Sequence, residues 1–399
     1  MKNFYELIDQ HFDEMVEIRR YLHQYPELSF EEVQTAAYIA EYYEKLGIPY
    51  RANVGGNGIV ATIKGSKPGK TVALRADFDA LPIHEQSEVP FRSKNDGVMH
   101  ACGHDGHTAT LLVLAKVLNQ LKDELEGNIV LIHQHAEELV PGGAISMIED
   151  GCLEGVDYIY GVHLWATDNV GEVYYKEGPF MAAADQFEIK IIGRGGHGAQ
   201  PHLTKDSIMT ASQLVVSLQQ IVSRNVDPLE SAVLSVGSFV ANNAFNVIAD
   251  TTQLKGTVRT FKESVRSKMQ SRMEEVIKGV CDACGTDYEF NYTRGYPPLV
   301  NHKEETEHIK QVASRIPGVL SVSEKAAQMG GEDFGYYLQH VPGSFAFVGA
   351  KDPNASEVAP HHHPKFMIDE RSLPIAAKLL GEATLSHLKY STENKVESK

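Results

Sequence analysis

The sequence predicts an α/β protein carrying an α+β insertion, and three observations lead there. Over roughly the first 180 residues, short apolar runs alternate with segments of helical periodicity, the pattern of a sheet flanked by helices. From about residue 184 the order changes to two helices with about four strands, and the first pattern returns after about residue 300. With 399 residues, 42% hydrophobic and 23% charged, the chain is long enough for two domains and ordinary for a globular protein.

In chain order, Phe4, Leu7, Ile8, Met15, Ile18 and Leu22 stand at helical spacing and open the chain with a helix. Ser29 followed by Glu32 reads as a capping box for a second helix, with Ala36, Ile39, Ala40, Tyr43 and Leu46 on one face and Gly47 just past its end. The runs 58–63 and 71–76 are short strands separated by the glycine-rich 65–70, which predicts a hairpin. A helix through Leu111, Leu114, Ala115, Leu118 and Leu121 follows, then strands at 128–132 and 158–162. The middle block has a strand at 187–192, a helix through Ile208, Ala211, Val215, Leu218 and Val222, and strands near 232–239 and 247–261. A helix at about 264–283 and a strand at 288–292 complete it as a split β-α-β sandwich. Helices at 303–315 and 372–389 with a strand at 344–348 between them return to the first pattern. The expected boundaries are 1–183, 184–296 and 297–399, the tail 391–399 being polar and loose.

Lys plus Arg number 37 against 53 Asp plus Glu, a net charge of −16, and no local basic patch offsets it; nucleic acid and anionic bilayers are not expected partners. An acidic residue, Glu6, falls where a secretory leader needs an apolar run. No run of 18 apolar residues occurs, so a cytoplasmic protein without membrane contact is expected. Cys102, Cys152, Cys281 and Cys284 are too few to staple this length and are expected as thiols, the last two on one helical face. The segment 193–198 matches G-x-G-x-x-G after a strand but lacks the acidic residue a dinucleotide site needs about 20 positions on, and no such cofactor is expected.

Histidine is the compositional oddity: of 18, eleven fall in the patches 100–107, 133–135, 163, 197–202 and 361–363. Clustered imidazoles point to metal or proton chemistry. Cys102 lies among His100, His104 and His107 at the start of a helix. It follows Asp77-Phe78-Asp79, the acidic end of a buried strand, where open α/β sheets place their ligands. The 128–132 strand runs into His133-Gln134-His135-Ala136-Glu137-Glu138, whose adjacent carboxylates repel unless cations or hydrogen bonds compensate. The next strand ends at His163 and Trp165, and His361-His362-His363-Pro364 returns late in the chain.

The segments 75–82 and 102–105, Glu137-Glu138, the His197 loop, 246–248, 256–259 and 331–334 together resemble, in order, the M20 metallopeptidase family. More narrowly they resemble its amidohydrolase branch of N-acyl-amino-acid, hippurate and auxin-conjugate hydrolases. The resemblance implies an α/β, phosphorylase/hydrolase-like metallopeptidase catalytic domain with an inserted α+β, ferredoxin-like lid and dimerisation domain. It also implies two divalent ions held by Cys102, His104, Glu138, His163 and His362, with Glu137 as general base and Asp79 orienting a ligand histidine. His197 corresponds to the lid histidine that serves a partner subunit's site, and Asn246 and Arg259 to positions near the substrate. Among 361, 362 and 363, His362 fits best ahead of His363-Pro364, and His133 and His135 are expected in ordinary structural roles, the alternative being partners that hold the ligands.

Imidazole, carboxylate and thiolate donors suit Zn2+, with Mn2+ or Co2+ compatible. The expected reaction is hydrolysis of an N-acyl-amino acid by a homodimer. The alternatives are a dipeptidase, carboxypeptidase or N-acetyl-diaminopimelate deacetylase, and, from another class, a metal-stabilised binding protein without catalysis. The retained Glu137 separates the last from the rest, since a structural site has no use for an unliganded base.

Overall fold

The structure, a computed structural model, describes residues 4–355 and 357–389; the expectation for the tail 391–399 lies outside them. The chain divides into two compact units, Met1–Gly178 with Val300–Ala326 and Tyr336–Lys399, and Pro179–Leu299 with Ala327–Gly335. The stretch 327–335 therefore groups with the inserted unit, tied to it by the Ala182 N–H, which donates to Gln328 O and Gly330 O at 3.1 and 3.0 Å.

The first unit is built on an eight-stranded mixed sheet. At its centre, Glu126–Gln134, Lys67–Asp77, Tyr158–Asn169 and Gly343–Lys351 lie side by side and parallel. Their carboxyl ends therefore open on one edge, where the polar segments read from the sequence follow. Their middle stretches, 72–74, 129–132, 159–162 and 345–348, are buried and almost wholly apolar because both faces are covered. Helix His104–Leu121 packs on Lys67–Asp77 and against helices Phe12–Gln24 and Ser372–His387. It is nearly wholly buried, and Lys116, the one Lys or Arg in it, reaches Glu14 at 2.7 Å. Gly381 lets the last helix approach: a Cβ there would lie 2.2 Å from the Phe4 ring.

Three local expectations are corrected. The opening helix is two helices, Phe4–Gln10 and Phe12–Gln24, broken at His11. Strands Gly58–Lys64 and Lys67–Asp77 do not form a hairpin; each pairs with Glu126–Gln134, which lies between them. The intervening strand buries the same apolar faces that a hairpin would. Ser29 and Glu32 do not cap helix Val33–Leu46: Glu27 does, accepting from the N–H groups of Gln34 and Thr35 at 3.0 and 2.8 Å. Ser29 and Glu32 are turned instead to the loops that follow the sheet.

In the second unit, strands Ala183–Ile192, Ala232–Val240, Thr251–Thr260 and Asp287–Tyr296 form an antiparallel sheet. Numbered in chain order their spatial order is 2-3-1-4, and helices Ser207–Gln220 and Glu263–Cys284 follow the first and third. This is a ferredoxin-like α+β sandwich. Phe187, Ile189 and Ile191 alternate inward, as a sheet with one covered face requires, and join Leu214, Leu218, Met269, Met273 and Ile277 in a core. Cys281 is buried and Cys284 half-buried on the long helix, and all four cysteines are free. Among the described residues no helix is long and apolar enough to cross a membrane.

Candidate metal centre

The parallel strand order brings Asp79, Cys102, His104, Glu137, Glu138, His163 and His362 together in the first unit. The chain enters helix His104–Leu121 through Gly103, whose φ of 98° is open to glycine, so that Cys102 and His104 flank one tight turn. Glu137 and Glu138 follow Ala136, itself at a φ of 53°. That loop is held at both ends by carboxylates. The Ala136 N–H donates to Glu32 Oε1 at 2.8 Å, and the Glu138 N–H donates to Asp79 Oδ2 at 2.9 Å.

Each imidazole's proton can be placed from a partner that can only donate or only accept. His104 Nδ1 stands 3.0 Å from the Asp79 carbonyl and 3.1 Å from Asp79 Oδ1, both acceptors, so Nδ1 carries a proton. Its Nε2 is buried without a hydrogen bond. Around that nitrogen stand Asp77 Oδ2 at 3.6 Å, Glu138 Oε1 at 3.8 Å and Glu137 Oε2 at 3.9 Å. These separations are too long for hydrogen bonds, so the Nε2 lone pair faces three carboxylates with no proton shared between them. His163 Nδ1 faces the Leu164 carbonyl at 3.0 Å, which leaves its Nε2 lone pair 3.4 Å from Cys102 Sγ. His107 differs: its Nε2 accepts from the Leu164 N–H at 2.9 Å and its Nδ1–H donates to Asp77 Oδ1 at 2.6 Å, so neither nitrogen is available to a ligand.

The electrostatics favour positive charge at this point. Burial alone would keep His104 neutral, but Asp77, Asp79 and Glu138 outweigh it and raise the imidazole to about 10. Burial, and then Glu138, Glu137 and Asp77, push the Cys102 thiol well above its ordinary range, so a thiolate here requires a cation. Burial opposes the charge on Asp79 too, yet His104, the Glu138 N–H and Ser29 hold it below the usual carboxylate range. Nitrogen, sulfur and oxygen donors around an orphaned nitrogen fit a borderline-soft divalent ion. Two donor groups share Cys102, one with His104 and Glu138 and one with His163 and His361.

His362 stands with Nε2 at 3.3 Å from Glu138 Oε1, its side chain about half exposed. The remaining expected residues belong to the second unit. His197 pairs with Val247 in a two-residue ladder, and the adjacent Gly198 N–H donates to Asn246 O at 2.8 Å, so His197 and Asn246 are neighbours. Arg259 lies on strand Thr251–Thr260 and donates to the carbonyls of Asp185 and Val258 at 3.4 and 3.2 Å.

Several polar contacts of the site escaped the sequence reading. Asp77 is gripped by Arg75 at 2.6 Å and by His107; the alternation Arg75, Asp77, with His104 and His107 one helical turn apart, was the available signal. Ser29 donates to Asp79 Oδ2 at 2.7 Å and Glu32 accepts from the Ala136 N–H, contacts with no local signal, and His361, legible only as one of three adjacent histidines, faces Cys102 Sγ. His133 Nε2 shares a hydrogen bond with the Tyr43 hydroxyl at 2.7 Å, burial holding the imidazole down at about 3, and His135 packs edge-on against Phe30.

Donors of this kind gathered at parallel strand ends make a candidate metal centre, and the comparisons identify the chain as a hydrolase acting on amide bonds. The profile of Peptidase family M20/M25/M40 matches residues 73–386, and the chain belongs to that family. It is 56% identical over 386 residues to the YhaA protein of Bacillus subtilis (strain 168), covering 97% of this chain and 98% of that one. It is 48% identical over 298 residues to the N-acyl-L-amino acid amidohydrolase of Geobacillus stearothermophilus, 75% of this chain and 80% of that one. Among solved structures it is similar to the Bacillus subtilis YXEP protein, a dinuclear metal binding peptidase of the M20 family. The TM-score is 0.82 at 36% identity, covering 96% of this chain and 99% of that one.

Proposed function

We propose that this protein is a metal-dependent amidohydrolase that cleaves the amide bond of N-acyl-L-amino acids into a carboxylate and a free amino acid. The observation that carries it is the unpartnered His104 Nε2 facing three carboxylates beside Cys102. The membership in the M20 family and the likeness to an N-acyl-L-amino acid amidohydrolase support the reading.

In this reading Cys102, His104, Glu138, His163 and His362 hold two divalent ions, Zn2+ or Mn2+, with Co2+ compatible. When bound, such ions supply Lewis acidity and a water acidified towards neutral pH. Glu137 would accept a proton from the attacking water and pass it to the leaving amine. Asp79 keeps His104 in the Nδ1–H tautomer, so that its Nε2 lone pair is directed inward. His197 donates to the developing oxyanion in a partner subunit's site, a role worth about 3 kcal/mol for comparable donors. Asn246 and Arg259 bind the substrate, the guanidinium neutralising its carboxylate in a chain of net charge −16. The protein acts as a cytoplasmic homodimer on small molecules, without nucleic acid or membrane.

The test is release of free amine from N-acetyl, N-benzoyl and longer N-acyl amino acids and from dipeptides, with Mn2+- or Zn2+-loaded protein and a Glu137→Gln variant alongside. Metal-dependent release on the N-acyl substrates that drops about 100-fold or more in the variant is expected. Intact turnover in the variant rejects the role of Glu137, and release from dipeptides alone rejects the substrate class.

A further inference from the structure

The group Cys102, His163 and His361 has the composition of a metal site, yet its two imidazoles are wired oppositely. His163 gives its Nδ1 proton to the Leu164 carbonyl and turns a lone pair to Cys102. His361 Nε2 lies 3.1 Å from the backbone N–H of Ala166, a group that can only donate. That nitrogen is therefore unprotonated, and in a neutral imidazole the proton is on Nδ1, which lies 3.7 Å from Cys102 Sγ. The ring is held in this orientation by Trp165 and Phe366, at 4.7 and 5.0 Å between centroids, and edge-on by His163 at 5.1 Å. Ligation through Nδ1 would need an imidazolate or would strip the Ala166 N–H of its acceptor.

We propose that His361 is a positioning residue that donates an Nδ1–H···S hydrogen bond to the Cys102 thiolate and does not bind metal. The inference rests on the two-metal reading of the site and adds a residue that the ligand set does not contain. A hydrogen bond to a ligating sulfur withdraws charge from it, so His361 weakens the thiolate as a donor and fixes the direction of its remaining lone pairs. It also separates two adjacent histidines by role: His361 serves the sulfur, whereas His362, whose Nε2 lies 3.3 Å from Glu138, is left as the ligand.

The experiment loads the full-length protein with Co2+ and compares His361→Leu, His361→Asn and His362→Leu by bound metal and by the thiolate-to-Co2+ absorption band. Asparagine places an amide N–H where Nδ1 stood. Expected is full metal content in both His361 variants, a shift of the band to longer wavelength in His361→Leu, and a return towards the native position in His361→Asn. His362→Leu loses one of the two ions. Loss of an ion from His361→Leu, or a band unmoved by it, overturns the proposal. Should His361→Leu not fold, His361→Asn decides by itself: full metal content with a near-native band supports the proposal, and loss of an ion overturns it. A native protein that binds no Co2+ overturns the two-metal reading, and one that binds two Co2+ ions with no thiolate band overturns Cys102 as a ligand and the proposal with it, so both are distinguishable from failure of the His361 assignment alone.

Discussion

Asp79 and His104 are joined twice, through the Asp79 carbonyl at 3.0 Å and its carboxylate at 3.1 Å, and the carboxylate's other oxygen receives the Glu138 N–H at 2.9 Å. A single side chain thereby sets the tautomer of one candidate ligand and the position of another. Asp79→Asn keeps the size but turns an amide donor towards either the Glu138 N–H or the His104 Nδ1–H. It is expected to weaken metal retention by about 10- to 100-fold, read by competition with a chelator, with little change in secondary structure.

Glu32 is buried beneath the Glu137–Glu138 loop. Burial first, and Asp79 with it, raise its carboxyl from 4.5 to about 7, against the hydrogen bonds from Asn57 and Ala136. Because the folded value exceeds the unfolded one, the fold holds this proton more tightly. The contribution is full below about pH 4.5 and is lost as pH rises through about 7. The difference in unfolding free energy between the native protein and Glu32→Gln should therefore drift against the native protein over that window, by at most about 1.4 kcal/mol per pH unit. A difference that stays flat in denaturant titrations from pH 4.5 to 7.5 would show that Glu32 is not raised.

In the inserted unit the buried pair Arg266 and Asp185 is held at 2.6 Å, with the Tyr292 hydroxyl and the Gly295 N–H also donating to the carboxylate at 2.7 and 3.1 Å. Removing one partner strands a buried charge. Asp185→Ala should destabilise this unit by about 3 to 5 kcal/mol, measured as a lowered chemical-denaturation midpoint in the transition that reports on it.

Gly103 isolates backbone strain. A Cβ there meets nothing closer than 3.8 Å, so Gly103→Ala introduces no clash, only an L-residue at a φ of 98°. A loss of roughly 1 to 2 kcal/mol in stability is expected, and a neutral result would mean that the turn between Cys102 and His104 relaxes freely.

The sandwich of the insertion and the helix that starts at His104 were legible because their signals are local: alternation in 183–192, and an apolar stripe from Leu111 to Leu121. The histidine and carboxylate segments were legible for the same reason, each lying just after an apolar run. Two of the errors, the hairpin and the capping box, share one cause. An apolar strand buries its faces against any strand, so nothing within 58–77 told a hairpin from two strands divided by 126–134. Ser29 and Glu32 have the spacing of a capping box, but their hydrogen-bond partners, Asp79 and Ala136, lie far along the chain.

By itself the sequence determined the two architectures, the order of their elements and the set of residues able to bind metal, since periodicity and residue chemistry are properties of neighbours in the chain. Tertiary structure decided which of those residues meet and with which nitrogen. His107, His163, His104 and His361 are the same side chain, and they were told apart by whether a backbone carbonyl or N–H faces each ring nitrogen. A proton's place on an imidazole is set by its partner, and the partner is set by the fold.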